Sequence, residues 1–110
     1  MAPSRTQSVF IQHDGASDRA SRRRAGWKFP WLIAQATYHC PNDPSDPEIA
    51  NAQEGLWRKR VAIEGANTDL PGREYRENHG AGVHFNDAGL RAHGKLWTSA
   101  VEAYLDRVLR

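Results

Sequence analysis

One cysteine and no long apolar run are the first things this sequence lacks, and each shortage removes a class of protein. Cys40 has no second cysteine to pair with, so a small secreted scaffold built on disulfides is not indicated, and a reducing compartment fits better. The stretch from Met1 to Gln12 contains no apolar core of the kind a signal peptide needs, and nowhere do apolar residues run far enough to span a bilayer. The expected location is therefore the cytoplasm, without a membrane partner. Charge of one sign is also scarce: 15 Lys and Arg against 13 Asp and Glu leave a formal +2, too little for a chain-wide nucleic-acid footprint.

What is present is ordinary globular material, 39% apolar and 25% charged. At 110 residues the chain is short for a complete doubly wound domain, because each strand with its crossover helix takes roughly 30 residues. One domain, or part of one, is expected over residues 8–110, with residues 1–7 as a mobile tail.

The punctuation of the chain predicts an alternating α/β order. Ser8 to Gln12 is a short β-prone run ended by the turn-favouring His13-Asp14-Gly15. Ala16 to Ala25 tolerates a helix that Gly26 can close. Trp31 to Thr37 is almost continuously apolar and reads as a strand buried on both faces, as in parallel sheets. Ser45-Asp46-Pro47-Glu48 is a helix start, with Ile49, Ala52, Gln53 and Leu56 on one face. Val61-Ala62-Ile63 reads as a second buried strand at the spacing of a parallel crossover. Glu64 to Gly82 is a long loop rich in Gly, Asn, Asp and Pro, a type often functional. From Asn86, a plausible N-cap, an apolar stripe through Leu90, Leu96, Trp97, Val101, Tyr104, Leu105 and Val108 marks the final helix.

His84 thus stands on a loop that leads into a helix, on the side of an α/β sheet where strand ends form ligand crevices. Its imidazole can take up and return a proton near neutral pH. On type and position alone it could equally cap the next helix or bond a backbone group.

The run Gly82-Val83-His84-Phe85-Asn86-Asp87-Ala88-Gly89-Leu90-Arg91-Ala92-His93-Gly94 resembles the last conserved block of SGNH-type hydrolases, in particular the sialate O-acetylesterase-like branch of carbohydrate esterases. Pro30 to His39 resembles that branch's central strand, and Glu64-Gly65-Ala66-Asn67-Thr68-Asp69 its later Gly-Pro-Asp-Thr-Asp loop. The similarity spans roughly Ala16 to Leu109. It implies a flavodoxin-like three-layer α/β/α fold and hydrolysis of a small-molecule or carbohydrate ester, without metal or organic cofactor, with His84 as the general base. Phe10 to Asp18 is a distorted echo of the family's Gln-Gly-Glu-x-Asp-like loop, which would put Gln12 and Gly15 near the site as oxyanion donors or lining.

Two departures stand out. The acid expected three residues before the histidine is Ala81, leaving Asp69 and Asp87 as conjectural substitutes. No Gly-Asp-Ser-like block is present, and Ser4, Ser8, Ser17, Ser21, Ser45 and Ser99 all lack that context. The resemblance therefore implies the C-terminal part of such a hydrolase, inactive alone, or a noncatalytic remnant of the same fold. Self-association, or pairing with an N-terminal complement, is expected from the sheet edge such a part would expose.

The other features have plainer expectations. His39 beside Cys40 lacks a second pair at zinc spacing. Trp31, Trp57 and Trp97 fall in core-type segments. Arg19, Arg22, Arg23 and Arg24 read as a solvated face with no aromatic residue among them, so no nucleic-acid partner is expected; the alternative, nucleic-acid binding through this run, predicts affinity that falls steeply with added salt.

Overall fold

The computed structural model describes residues 19–42 and 45–110. Within them the elements run α1 (residues 19–25), β1 (Leu32–Gln35), α2 (Pro47–Arg58), β2 (Ile63–Asn67) and α3 (Asp87–Val108), with two 3-10 turns, Arg73–Tyr75 and Asn78–Gly80, ahead of α3. The strands pair in parallel, Leu32 with Ile63 and Ile33 with Glu64, and a register shift before Gln35 brings Gln35 opposite Asn67. This is a small α/β unit whose sheet has two strands among the described residues. The expected strand at Ser8–Gln12, the site residues Gln12 and Gly15, and the tail 1–7 lie outside the described residues.

Local chemistry explains the element ends. Gly26, at φ 80°, donates its N–H to Arg22 and closes α1 in the left-handed geometry glycine allows. Asp46 caps α2, its carboxylate accepting from the N–H groups of Glu48 and Ile49, with Pro47 in the first turn where its missing N–H costs nothing. Asn86 caps α3 by accepting from the Gly89 N–H at 2.8 Å.

α2 packs on both strands and α3 on β2. Among the described residues the core is small: Ala50, Ala52, Leu56 and Ala66 are its buried apolar residues, and Leu56 is the one large side chain fully enclosed. Gly65 permits the contact with α3, because a Cβ there would lie 2.7 Å from the Ile33 carbonyl oxygen and 3.0 Å from the Trp97 ring.

Four expectations need correction. β1 is half-buried along its length rather than enclosed on both faces, since among the described residues the sheet has only two strands and each has an edge without a further strand. The second strand is Ile63–Asn67, not Val61–Ile63, because the N–H groups of Val61 and Ala62 both turn back to the Leu56 carbonyl and finish the end of α2. The interval from Glu64 to Gly82 is not one irregular loop: its first four residues extend β2, and the rest holds both 3-10 turns. The α3 stripe is covered at Leu96, Trp97 and Tyr104 only in part, while Leu90, Val101, Leu105 and Val108 are exposed. Lengths account for this: 22 helical residues run about 33 Å, whereas a five-residue strand spans about 17 Å, so much of the helix overhangs the sheet.

Candidate functional site

The polar chemistry gathers beyond the C-terminal ends of the parallel strands, and Asp69 ties those ends together. Its carboxylate accepts from the Thr37 N–H at 2.6 Å, the Tyr38 N–H at 2.9 Å and the Thr37 hydroxyl at 2.6 Å. Thr37 in turn accepts from the N–H of Asp46, joining the start of α2 to the same cluster. One residue earlier, Gln53 on α2 donates to the Ala36 carbonyl and accepts from its N–H, so a side-chain amide stands in for a third strand at that point.

The next layer is built on Arg76, which is 5% exposed. Its guanidinium donates to three carbonyls, those of Val83 at 2.8 Å, Thr68 at 3.1 Å and Pro71 at 3.0 Å. Its carbon centre lies 3.8 Å from the Tyr38 ring centroid and 4.1 Å from that of Phe85. Burial pulls the guanidinium below its ordinary pKa, opposed by the charge of Tyr38 and of Asp69. Arginine suits this position because a planar fork can serve several acceptors while its faces lie against rings.

Arg76 thereby fixes the loop that carries His84. Val83, before it, is bonded through its carbonyl to Arg76, and Phe85, after it, stacks on Arg76 and bridges to it through the backbone. The His84 carbonyl accepts from the Glu77 N–H at 2.9 Å. Asn86 adds two bonds from its side-chain amide to the carbonyls of Glu74 and Arg76. Between Glu77 and His84 the chain turns through left-handed residues Asn78, His79 and Gly80.

His84 itself is exposed, and its ring has no hydrogen-bond partner among the described residues. Its backbone is held on both sides while its imidazole faces solvent. Neither conjectural acid reaches it: Asp69 is committed to Thr37 and Tyr38, and Asp87 is an exposed first-turn residue of α3. Ala81 is exposed and closes the second 3-10 turn through its N–H.

Comparison of the chain with family models, curated proteins and solved structures finds no match.

The described residues hold no cluster of three or more His, Cys, Asp or Glu side chains suited to a metal ion. No helix among them is long and apolar enough to cross a membrane. A groove of about 670 Å³ runs between β2 and α3, lined by Glu64, Ala66, Leu96, Ala100 and Tyr104 among others, and His84 is not part of it. Trp57 and Trp97 are half-buried and bonded, Trp57 to the Ile33 carbonyl and Trp97 to the His93 ring, which fits packing rather than sugar stacking.

Asp69 and Arg76 are the organising residues that sequence reading did not place. Asp69 entered only as a substitute acid, yet its position directly after β2 is where a carboxylate can cap a neighbouring strand end. Arg76 carries no sequence signal, because arginine is ordinarily a surface residue and nothing in Tyr75-Arg76-Glu77 marks it as buried.

Proposed function

We propose that this chain carries the histidine-bearing part of an SGNH-type ester hydrolase of the sialate O-acetylesterase-like kind, acting on acetylated carbohydrate esters, with His84 in the general-base position. The observation that carries the reading is the exposed imidazole on a loop clamped by Arg76 beyond the ends of two parallel strands. Residue types agree with that geometry, since an acyl-transfer base must be presented to solvent and substrate by a backbone that does not move. The α/β crossover is consistent with a portion of the three-layer flavodoxin-like fold that the resemblance implies.

In this reading a serine outside these 110 residues attacks the ester carbonyl while His84 takes its proton and passes it to the leaving alcohol. His84 works without the usual orienting carboxylate, whose loss in a triad lowers the rate by about four orders of magnitude. The chain alone is therefore inactive, and its partner is the serine-bearing portion of the fold.

The test is complementation. The chain is mixed with, or joined to, the serine-bearing part of a sialate O-acetylesterase-like enzyme cut before its own histidine block, and aryl acetate hydrolysis is followed. Turnover only in the combined sample, lost with His84→Ala, supports the proposal. Hydrolysis by the isolated chain, or combined activity indifferent to His84→Ala, overturns it.

A second reading, a noncatalytic remnant that retains the fold, is favoured by one observation: the His84 ring meets no carboxylate among the described residues, while Asp69 is spent on the strand ends. Failure of every complemented sample to turn over, with the parts shown to associate, selects it.

A further inference from the structure

Five of the chain's cations, Arg19, Arg22, Arg23, Arg24 and Lys28, fall within ten residues, and no acidic residue occurs between Asp18 and Asp43. Because the whole chain nets only +2, this segment is locally far more basic than the rest. In sequence the arginine run contains no aromatic residue, which reads as a solvated face. The fold alters that picture by turning the chain at Gly26, so that Trp27 lines the same concavity as three of those arginines.

Arg19, Arg22, Arg23, Gly26, Trp27 and Lys28 together line a concavity of about 530 Å³. Arg19, Arg22 and Arg23 are three and four residues apart and so share one helical face. Trp27 is 62% exposed, unusual for so large an apolar ring, and its edge contact with Phe29, at 5.2 Å between centroids, holds it in place. Phe29 is in turn 5.8 Å from Trp31 at the threshold of β1, so the ring is anchored to the sheet while much of its surface stays open.

We infer that this concavity binds single-stranded nucleic acid, with the Trp27 ring as a platform for one base and the guanidinium groups of Arg19 and Arg23 on the flanking phosphates. An exposed aromatic face beside a row of cations is the arrangement that takes unpaired bases without demanding a sequence. Guanidinium forks match phosphate oxygens in pairs, which a lysine-only patch does not. An anionic membrane is the competing partner for basic residues beside a tryptophan, but a helix that lies in a bilayer needs an apolar face. Arg19-Ala20-Ser21-Arg22-Arg23-Arg24-Ala25 has no large apolar side chain to insert. The site lies in α1 and the turn after it, separate from the His84 loop, and stands whether or not the proposed esterase reading does.

The experiment uses the whole chain and fluorescence anisotropy of a labelled oligo-dT, a matched duplex and phosphatidylserine vesicles. Binding to oligo-dT should exceed binding to the duplex. The log affinity should fall with log salt at a slope of about −1.5 to −3, the value for two to four phosphates on a single strand. Arg19→Glu with Arg23→Glu should remove most of that affinity, and Trp27→Ala should lower it roughly fivefold or more. Both sets of positions are at the surface, and unchanged circular dichroism confirms that the fold survives. No binding to oligo-dT, preference for the duplex, binding indifferent to Trp27→Ala, or binding confined to vesicles overturns the inference.

Discussion

Replacing Arg76 by methionine keeps the side chain's length and removes its charge and all of its donors. The carbonyls of Val83, Thr68 and Pro71 then lose their shared partner, and the rings of Tyr38 and Phe85 lose the cation between them. Hydrogen bonds from a charged donor contribute about 1.5 kcal/mol or more each. The three share one side chain, so their effects do not simply add, and removing the charge also relieves a desolvation cost; a net loss of about 3 kcal/mol is expected. In urea, where small domains have slopes of about 1 to 3 kcal/mol per molar, that lowers the unfolding midpoint by roughly 1 to 3 M. Because burial lowers the Arg76 pKa in the fold, the unfolded chain binds more protons between the two values, and stability rises with pH there. A guanidinium stays protonated through neutral pH, so the deficit of the variant should be constant there. Arg76→Lys, a single point charge, should recover only part of the loss. Hydrogen exchange gives the local readout. In Arg76→Lys the amides of Glu77 and Asn86, which bond to the His84 and Tyr75 carbonyls, should exchange faster, while those of Val61 and Ala62, bonded to Leu56, should not. A methionine variant within about 0.5 kcal/mol of the parent, with unchanged exchange at Glu77 and Asn86, would refute the clamp.

Two glycines of α3 should respond to alanine in opposite directions. At Gly89 a Cβ would run into the Tyr75 carbonyl oxygen and the Phe85 ring, so Gly89→Ala should cost about 1 to 3 kcal/mol despite better helix propensity, measured as a lowered urea midpoint. At Gly94 nothing lies within 4 Å of the new methyl, and Gly94→Ala should stabilise by about 0.8 kcal/mol in the same assay. Asp69→Ala removes the acceptor of the Thr37 and Tyr38 amides and should cost about 2 to 3 kcal/mol; a loss below about 0.5 would show that the strand ends do not depend on it. The exposed apolar residues of the α3 overhang, Val101, Leu105 and Val108, should make the chain associate as concentration rises, and Leu105→Glu with Val108→Glu should shift light scattering towards monomer.

Elements carried by local chemistry were legible in the sequence, and those carried by tertiary contacts were not. Asp46 with Pro47 starts α2, Asn86 starts α3 and Gly26 ends α1 because caps are set by a few neighbouring atoms. The inward face of α2 was readable down to Gln53, although its role as a stand-in strand was not, since that depends on where Ala36 arrives. The start of β2 lies two residues later than the apolar run suggests, because Val61 is as β-prone as Ile63 and Ala62 continues the apolar run, and only the turn back to Leu56 distinguishes them. The overhang of α3 was hidden because an apolar stripe records what could be covered, not what is.

His84 was legible as a position, its exposure and its unpartnered ring were not, and the residues that hold it came from the fold. Arg76 lies eight residues earlier in sequence and Tyr38 in another segment altogether, so their convergence has no local signature. The Trp27 platform is similar: the ring follows the arginine run in sequence, and only the turn at Gly26 brings it to the same concavity.

The central claim is that the clamped loop presents His84 as a proton acceptor to a serine supplied from outside these residues. Labelling by a fluorophosphonate, which reports serine activation directly, tests it in the complemented sample. Labelling of the serine-bearing part should rise when this chain is added, and should not rise with His84→Ala. Arg76→Lys, which loosens the loop but keeps the imidazole, should fall between them. Equal enhancement by the parent chain and by His84→Ala would contradict the account.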